Sequence, residues 1–353
     1  MTNNDKIPAT HMLLRFYAKC LLLALPFIAL CVAYVAEDPF MVLRNYDDYD
    51  HPTLCQNEGM VSWLKYKRYR SKMHYDSFIM GSSCTKAFNT RDWNRYIHAR
   101  PFRMFCNSEG MGDLYKKLEA LDRQPGQSIK NLLIVCERGF FVKSDMQNGV
   151  MHVMPPEVSG MSEVAFQSTF LQGFFNPTFL WNYLKYQITH KYDKGMNGVI
   201  NIAGHIHTRY TNDAVLSDEE KIAEMGENYW QMDGRKGMAA EKDKRTESPR
   251  VIFKSQIVTL NKIKAVCERH RTNVKIVIGP VLEGRLIHPA DVAVLRELFG
   301  SENVLNASDA EHRHLIDYHN FYDKEHYRIQ VGRELLEELY RQKSVQKYSK
   351  TSE

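Results

Sequence analysis

Short apolar runs alternate along most of the chain with apolar residues at helical spacing. The runs that are typical of buried strands lie at 78–80, 103–106, 131–136, 274–278 and 303–305. Between two of them, Leu114, Leu118 and Leu121 recur at the spacing of a helix face. Strands that alternate with helices predict a parallel sheet covered on both faces. We therefore predict an α/β fold, a three-layer sandwich with a central parallel sheet.

The longest apolar segment lies near the amino end, at residues 20–36, and extends back to 13 if Arg15 reaches the membrane surface. Basic residues dominate the tail at 1–19, and acidic residues follow the segment. This asymmetry predicts a cytoplasmic tail and an extracytoplasmic main domain on the cytoplasmic membrane. A cleavable signal peptide is the alternative. Cys31 before Ala33 makes a tolerable cleavage site and Tyr34 before Ala36 a poor one, and we favour a single-pass anchor at 13–36.

Composition narrows the function classes. The chain has 353 residues, of which 25% are charged and 11% aromatic, and this is typical of a globular domain. Its formal net charge is +5, and it has no block of Lys and Arg interleaved with aromatic residues. We therefore predict no nucleic-acid partner. A mildly basic surface is compatible with an anionic polysaccharide or with lipid headgroups.

The stretch at 76–85 carries the first candidate chemistry. An apolar run ends at Gly81, which permits a sharp turn, and Ser82 and Ser83 follow where a helix would start. A hydroxyl at that position faces the free amides of a helix N-terminus, which favour a developing anion. Ser83 is therefore a candidate nucleophile. The alternative is that the two serines only cap the helix.

A candidate base lies near the other end of the chain. Asp323 and His326 are three residues apart, just before a run of helical periodicity at 331–340. At this spacing a carboxylate and an imidazole project in the same direction. Asp323 would hold the imidazole tautomer while His326 takes the serine proton. A surface acid and histidine at a helix start is the alternative.

Together, the strand that ends in Gly-x-Ser and the C-terminal Asp-x-x-His resemble the SGNH/GDSL hydrolase superfamily, in particular its membrane-anchored, DltD-like and alginate O-acetylation-like branch. The resemblance implies a flavodoxin-like sheet and a Ser83–His326–Asp323 triad, with Ser82 at the position usually held by Asp. It implies that Gly110, with Asn107 in the same turn, helps to bind the oxyanion or substrate. It also implies O-acyl transfer or ester hydrolysis on a cell-surface polysaccharide, no cofactor, and a membrane-bound acyl-donor protein as partner.

One block departs from this family. The family carries an Asn side chain after the third strand as a further oxyanion donor, but here the strand at 131–136 is followed by Glu137, Arg138 and Gly139. Loss of one such donor costs about 100- to 1000-fold in rate. Arg138 is a candidate electrostatic substitute. The alternative function is a non-catalytic glycan-binding or assembly protein with a degenerate SGNH fold.

The remaining segments define the domain limits. We predict a connector at 37–75, an SGNH-like domain at 76–343 and a flexible tail at 344–353. Aromatic residues at 140–193 suggest an insertion that covers the substrate, and the charged segment at 217–250 is a second insertion. His205 and His207 have strand spacing for a metal pair, but no acid or cysteine is spaced nearby to complete a site; His312 and His314 are a second pair with the same spacing. We therefore predict no metal, and that the cysteines at 84, 106 and 136 are small buried residues rather than a disulfide.

Overall fold

A five-stranded, entirely parallel sheet forms the centre of the protein. The computed structural model describes residues 9–202, 206–240 and 246–349. The strands are β1 (Ser77–Gly81), β2 (Pro101–Arg103), β3 (Asn131–Cys136), β4 (Asn273–Ile278) and β5 (Val304–Asn306). Their order is β2-β1-β3-β4-β5, so the chain reverses its direction of winding beside β1. The predicted α/β class with a parallel sheet is confirmed, and β2 lies two residues earlier than predicted.

Twelve α-helices are described around this sheet. They are α1 (Ala9–Glu37), α2 (Glu58–Met73), α3 (Thr90–Ile97), α4 (Met111–Asp122), α5 (Arg138–Val142), α6 (Pro156–Ser159), α7 (Glu163–Phe174), α8 (Pro177–Thr189), α9 (Ser217–Met225), α10 (Lys254–His270), α11 (Pro289–Phe299) and α12 (Ile329–Ser349). The helix α12 continues to Ser349, whereas we predicted that the chain leaves regular structure at 344.

The strand residues divide into two separate apolar clusters. Phe78 and Ile134 belong to one cluster together with apolar residues of α2, α4, α10 and α11. Ile79 and Val135, their neighbours in sequence, belong to another with residues of α12. Because successive side chains of a strand point to opposite faces, each cluster covers its own side of the sheet. Strands buried in this way need the near-continuous apolar runs that the sequence contains.

The segment at 37–75, which we predicted as a connector, contains the helix α2. Its helix α2 places Trp63 and Tyr66 in the larger apolar cluster, where neither side chain is exposed. The sequence shows no clean periodicity there because α2 also buries polar residues, including Lys65. Packing of α2 therefore makes this segment an integral part of the main domain.

The first helix is long and apolar enough to cross a membrane. The candidate span covers Thr10–Glu37, 28 residues, and an 18-residue window within it has a mean hydropathy of 2.2. A hydrocarbon core about 30 Å thick requires about 20 residues of helix, so the length is sufficient. Most of its side chains are exposed, as expected for a helix that faces lipid rather than a protein core.

Candidate active site

Ser83, His326 and Asp323 form a continuous hydrogen-bonded chain. The Oγ of Ser83 lies 2.8 Å from Nε2 of His326. Nδ1 of the same ring lies 2.8 Å and 2.9 Å from the two carboxylate oxygens of Asp323. A serine bonded to one ring nitrogen and a carboxylate bonded to the other is the geometry of a nucleophile, a base and an orienting group. Ser83 and His326 lie 243 positions apart in the sequence.

The turn after β1 presents the Ser83 hydroxyl. Gly81 ends the strand with a φ of +140°, and a Cβ there would lie 1.8 Å from the carbonyl oxygen of Val135 on β3. Only glycine fits this close approach. Ser82 then caps a short 3₁₀ helix, Ser83–Ala87, by accepting from the amide of Cys84 at 3.3 Å. The two serines therefore differ in role, since Ser82 is the cap and Ser83 points to His326.

The Asp323–His326 loop is held by its own backbone. Asp323 Oδ1 accepts from the amides of Glu325 and His326 at 2.9 Å and 3.0 Å, which sets the carboxylate beside the ring. Burial opposes ionisation of Asp323, but the hydrogen bond and charge of His326, together with the charge of Lys86, hold the pKa of its carboxyl well below the usual value. Asp323 therefore stays ionised and orients the imidazole.

The segment at 217–235 clamps this loop from outside. The indole N–H of Trp230 donates to the carbonyl of Phe321 at 3.0 Å, and Arg235 Nε donates to that of Tyr322 at the same distance. The hydroxyl of Tyr229 also donates to the Tyr322 carbonyl, at 3.1 Å. We predicted a solvated insertion, but the buried rings of Tyr229 and Trp230 join the cluster beneath the loop. Its two aromatic residues within a charged segment were the signal in the sequence.

A pocket of about 440 Å³ opens at the triad, at the carboxyl ends of β1, β3 and β4. This size lies within the range of small-molecule sites. Its lining residues are Ser82, Ser83, Cys84, Ser108, Cys136, Glu137, Gly279, Pro280, Val281, Leu282, Glu283, Lys324, Glu325, His326 and Tyr327. Ligands of open parallel sheets bind at this edge, where the winding reverses.

The residues predicted to bind the oxyanion lie elsewhere. Gly110 precedes α4, and its amide donates to Asp113 Oδ2 at 3.1 Å, so it is not free to bind an oxyanion. Asn107 is exposed and lines a different pocket. Arg138 Nε donates to the carbonyl of Pro249 at 3.2 Å and does not line the triad pocket. None of these three residues lines the triad pocket, whereas Ser108, in the same turn as Asn107 and Gly110, does.

Glu137 occupies the position where the resembling family carries Asn. Its Oε2 accepts from the Ser82 hydroxyl at 2.8 Å, and the side chain lines the triad pocket. Burial raises the pKa of this carboxyl, although the Ser82 hydrogen bond opposes the shift. We missed this residue because we expected an amide at the site; the signal was its place directly after β3.

The cysteines are free thiols. Cys84 and Cys136 both line the triad pocket, whereas Cys106 is buried apart from it. Burial, and to a lesser extent the charge of Glu137, raise the pKa of the Cys84 thiol. A protonated thiol is a poor nucleophile, so Ser83 remains the candidate in this turn.

A buried polar cluster surrounds His207. Its Nδ1 lies 2.8 Å from Asp50 Oδ1, and its Nε2 lies 3.4 Å from Glu58 Oε2. Asp50 also lies 3.2 Å from the ammonium of Lys65. We expected no acid near His207, but the fold brings two from distant positions; His205, its predicted partner, lies outside the described residues.

The two histidines of the second predicted pair each form ion pairs with different acidic residues. His312 lies between Asp309 and Glu338, and His314 lies 2.6 Å from Glu334. Within the described ranges, no group of three or more His, Cys, Asp or Glu side chains is arranged to hold a metal ion.

Asp50 predicts a loss of stability in acid. Burial opposes ionisation of Asp50, but the hydrogen bond and charge of His207 and the charge of Lys65 lower its pKa to about 2. Because the folded pKa lies below the unfolded one, this stabilisation is present above about pH 4 and is lost as the pH falls towards 2. Wild type should lose about 2 kcal/mol more unfolding free energy over this interval than Asp50→Asn.

Urea titrations of the detergent-solubilised chain between pH 2 and 6 measure this difference. The matched control is Asp193→Asn, which removes an exposed carboxylate paired with Lys185 and should alter the pH dependence far less. Parallel pH profiles for wild type and Asp50→Asn would contradict the prediction.

Comparison with protein-family models, curated proteins and solved structures finds no match for this chain.

Proposed function

We propose that the protein is an SGNH-type serine acyltransferase or esterase that acts on acyl esters, acetyl esters in particular, of an extracytoplasmic cell-surface polysaccharide. The observation that carries the proposal is the Ser83–His326–Asp323 hydrogen-bonded chain at the mouth of a pocket. The sheet order β2-β1-β3-β4-β5 also supports it, since this is the order of flavodoxin-like three-layer folds.

The reaction follows from the geometry of the triad. Oγ of Ser83 attacks the acyl carbonyl while Nε2 of His326 takes its proton, and Asp323 stabilises the imidazolium that forms. His326 then returns the proton to the departing alcohol, which leaves an acyl group on Ser83. Water or a sugar hydroxyl, deprotonated by His326, attacks this ester and regenerates the serine.

The oxyanion requires donors near Ser83. Ser83 is the first residue of its 3₁₀ helix, where a backbone N–H has no acceptor within the helix. This amide is the donor that we assign to the oxyanion, in place of the engaged amide of Gly110. Glu137 stands where the resembling family carries an Asn side chain as an oxyanion donor. Because that donor is missing, we expect a slower, specialised reaction.

The first helix supports the proposed location. An uncleaved anchor with basic residues on its amino side supports a location of the pocket outside the cytoplasmic membrane. Buried Tyr34 packs against Phe174 of the main domain with ring centroids 5.2 Å apart. Removal of the helix would break this contact and expose Phe174. A membrane-bound acyl-donor protein would then reach the pocket from the same membrane.

Trapping of the acyl group tests the function. The full chain in detergent is incubated with an aryl acetate and with a serine-reactive phosphonate, and the adduct is located by peptide mass spectrometry. The proposal expects the adduct on Ser83 and its loss in His326→Ala. Without an adduct, and with unchanged glycan acylation in cells that carry Ser83→Ala, the non-catalytic glycan-binding function would replace this one.

The Ser82–Glu137 contact predicts coupling at the turn that carries the nucleophile. Hydrogen bonds to charged groups contribute about 1.5–3 kcal/mol, so a double-mutant cycle of Ser82→Ala and Glu137→Ala should give a coupling of about 1–2 kcal/mol in unfolding free energy. Glu137→Gln keeps an acceptor for the serine and should retain most of the stability. Additive effects of the two alanine substitutions would contradict the interpretation of this contact.

A further inference from the structure

We propose that α7 and α8 form a platform that lies in the interface of the same bilayer that α1 crosses. The observations concern residues that the catalytic proposal does not use, and the inference goes beyond that function. These observations are the contact between α1 and the helix pair, the rigid junction after α1, and the exposed apolar side chains on α7 and α8.

A contact between Phe27 and Phe175 holds the platform beside the membrane-crossing helix. Phe27 on α1 stacks on Phe175, which directly follows α7, with ring centroids 5.0 Å apart. Phe27 lies ten residues before the end of α1 at Glu37, a distance of about 15 Å along a helix axis. Since a hydrocarbon core needs about 20 residues, a span that starts at Thr10 or later includes Phe27. Phe175 therefore contacts the apolar part of α1 itself, which brings the helix pair against the bilayer that α1 crosses.

The junction after α1 keeps this arrangement rigid. The buried Asp38 carboxylate accepts from the amides of Val42 and Leu43, both at 2.9 Å. The guanidinium of Arg44 reaches back to the carbonyl oxygens of Val35 and Ala36, at the end of α1. Together with the packing of Tyr34 on Phe174, these bonds fix the orientation of α1 relative to the domain. The bilayer therefore always contacts the same face of the domain.

The exposed surface of the platform carries large apolar side chains. Trp181 and Ile188 lie seven residues apart on α8, with 69% and 80% of their surface exposed, and Val164 on α7 is 77% exposed. Residues seven apart share one face of a helix. Tryptophan is enriched where membranes meet water, because its ring is apolar and its N–H is polar. Lys185, on the same helix, can extend its aliphatic stem across apolar surface and keep its ammonium in water.

Tryptophan fluorescence tests the proposal with the chain as it exists. The full chain is assembled into nanodiscs of phosphatidylcholine with brominated acyl chains. Bromine quenches tryptophan fluorescence at short range. Of the four tryptophans, Trp63 and Trp93 are fully buried, Trp230 is 5% exposed and Trp181 is the exposed one. We expect bromine to quench part of the emission, and we expect this part to disappear in Trp181→Phe, which keeps the face apolar.

Acrylamide in the aqueous phase is the opposing probe. If acrylamide quenches Trp181 while brominated lipid leaves the emission unchanged, the face is in water and the proposal is overturned. The same holds if the chain does not assemble with the bilayer. Neither quenching measurement depends on catalysis. The membrane proposal is therefore tested separately from the acyltransferase proposal.

Discussion

Ser83→Ala should lower the rate of aryl acetate turnover by roughly 10⁴- to 10⁶-fold, the cost of removing the nucleophile from a serine–histidine–aspartate unit. The expected loss is this large because no acyl intermediate can form once Oγ, 2.8 Å from His326, is absent. Residual turnover would come from binding and from the backbone donor alone. Initial rates and burst amplitudes, measured with the full chain in detergent, determine the loss.

The neighbours of Ser83 supply matched controls. Ser82→Ala and Cys84→Ala each remove one small polar group from the same pocket lining. Both should retain activity far above that of Ser83→Ala, because neither group contacts His326 through its side chain. If Cys84→Ala abolishes turnover while Ser83→Ala does not, the assignment of the nucleophile is wrong.

Lys117→Met should lower the free energy of unfolding by about 3–5 kcal/mol, the cost of breaking a buried ion pair from one side. Lys117 Nζ lies 2.5 Å from Glu109 Oε2 and donates to the carbonyl of Met104 at 2.8 Å. Both charged side chains are fully buried. Burial raises the pKa of Glu109, while the charge of Lys117 opposes the shift. Without the lysine, the carboxyl must take up a proton or remain as a buried charge.

The direction of the pH effect distinguishes this cause from lost packing. A carboxyl whose folded pKa is raised destabilises the fold increasingly as the pH rises, so Lys117→Met should recover stability in mild acid. The double variant Glu109→Gln/Lys117→Met is the control, since it removes both charges and should recover much of the loss. A stability loss of equal size at all pH values would exclude an uncompensated Glu109 as its cause.

Elements whose signal is local were predictable. The apolar runs of β1, β3 and β4 could be identified because strands buried on both faces have no polar alternation to obscure them. Asp323 and His326 could be paired because they are three residues apart. The meeting of Ser83 with His326 followed only from a resemblance, and the hydrogen bond between them is present.

Elements that depend on distant partners were not predictable. The glycine of the predicted oxyanion turn was identified by its place in a motif, but Asp113 engages its amide. Arg138 was chosen for its charge, yet the helix that it begins turns its side chain towards Pro249. In each case the side chain or amide had several possible partners of equal chemistry, and only packing selected one.

By itself, the sequence determined the class of fold, the apolar first helix, the glycine turn before Ser83 and the spacing of Asp323 and His326. These depend on the conformational preferences and polarity of neighbouring residues. The tertiary structure decided that Glu137 faces Ser82, that Asp50 and Glu58 surround His207, and that the segment at 217–235 clamps the Asp323–His326 loop. Such contacts join groups far apart in the chain, and their partners are set by which faces of the helices and strands are buried together.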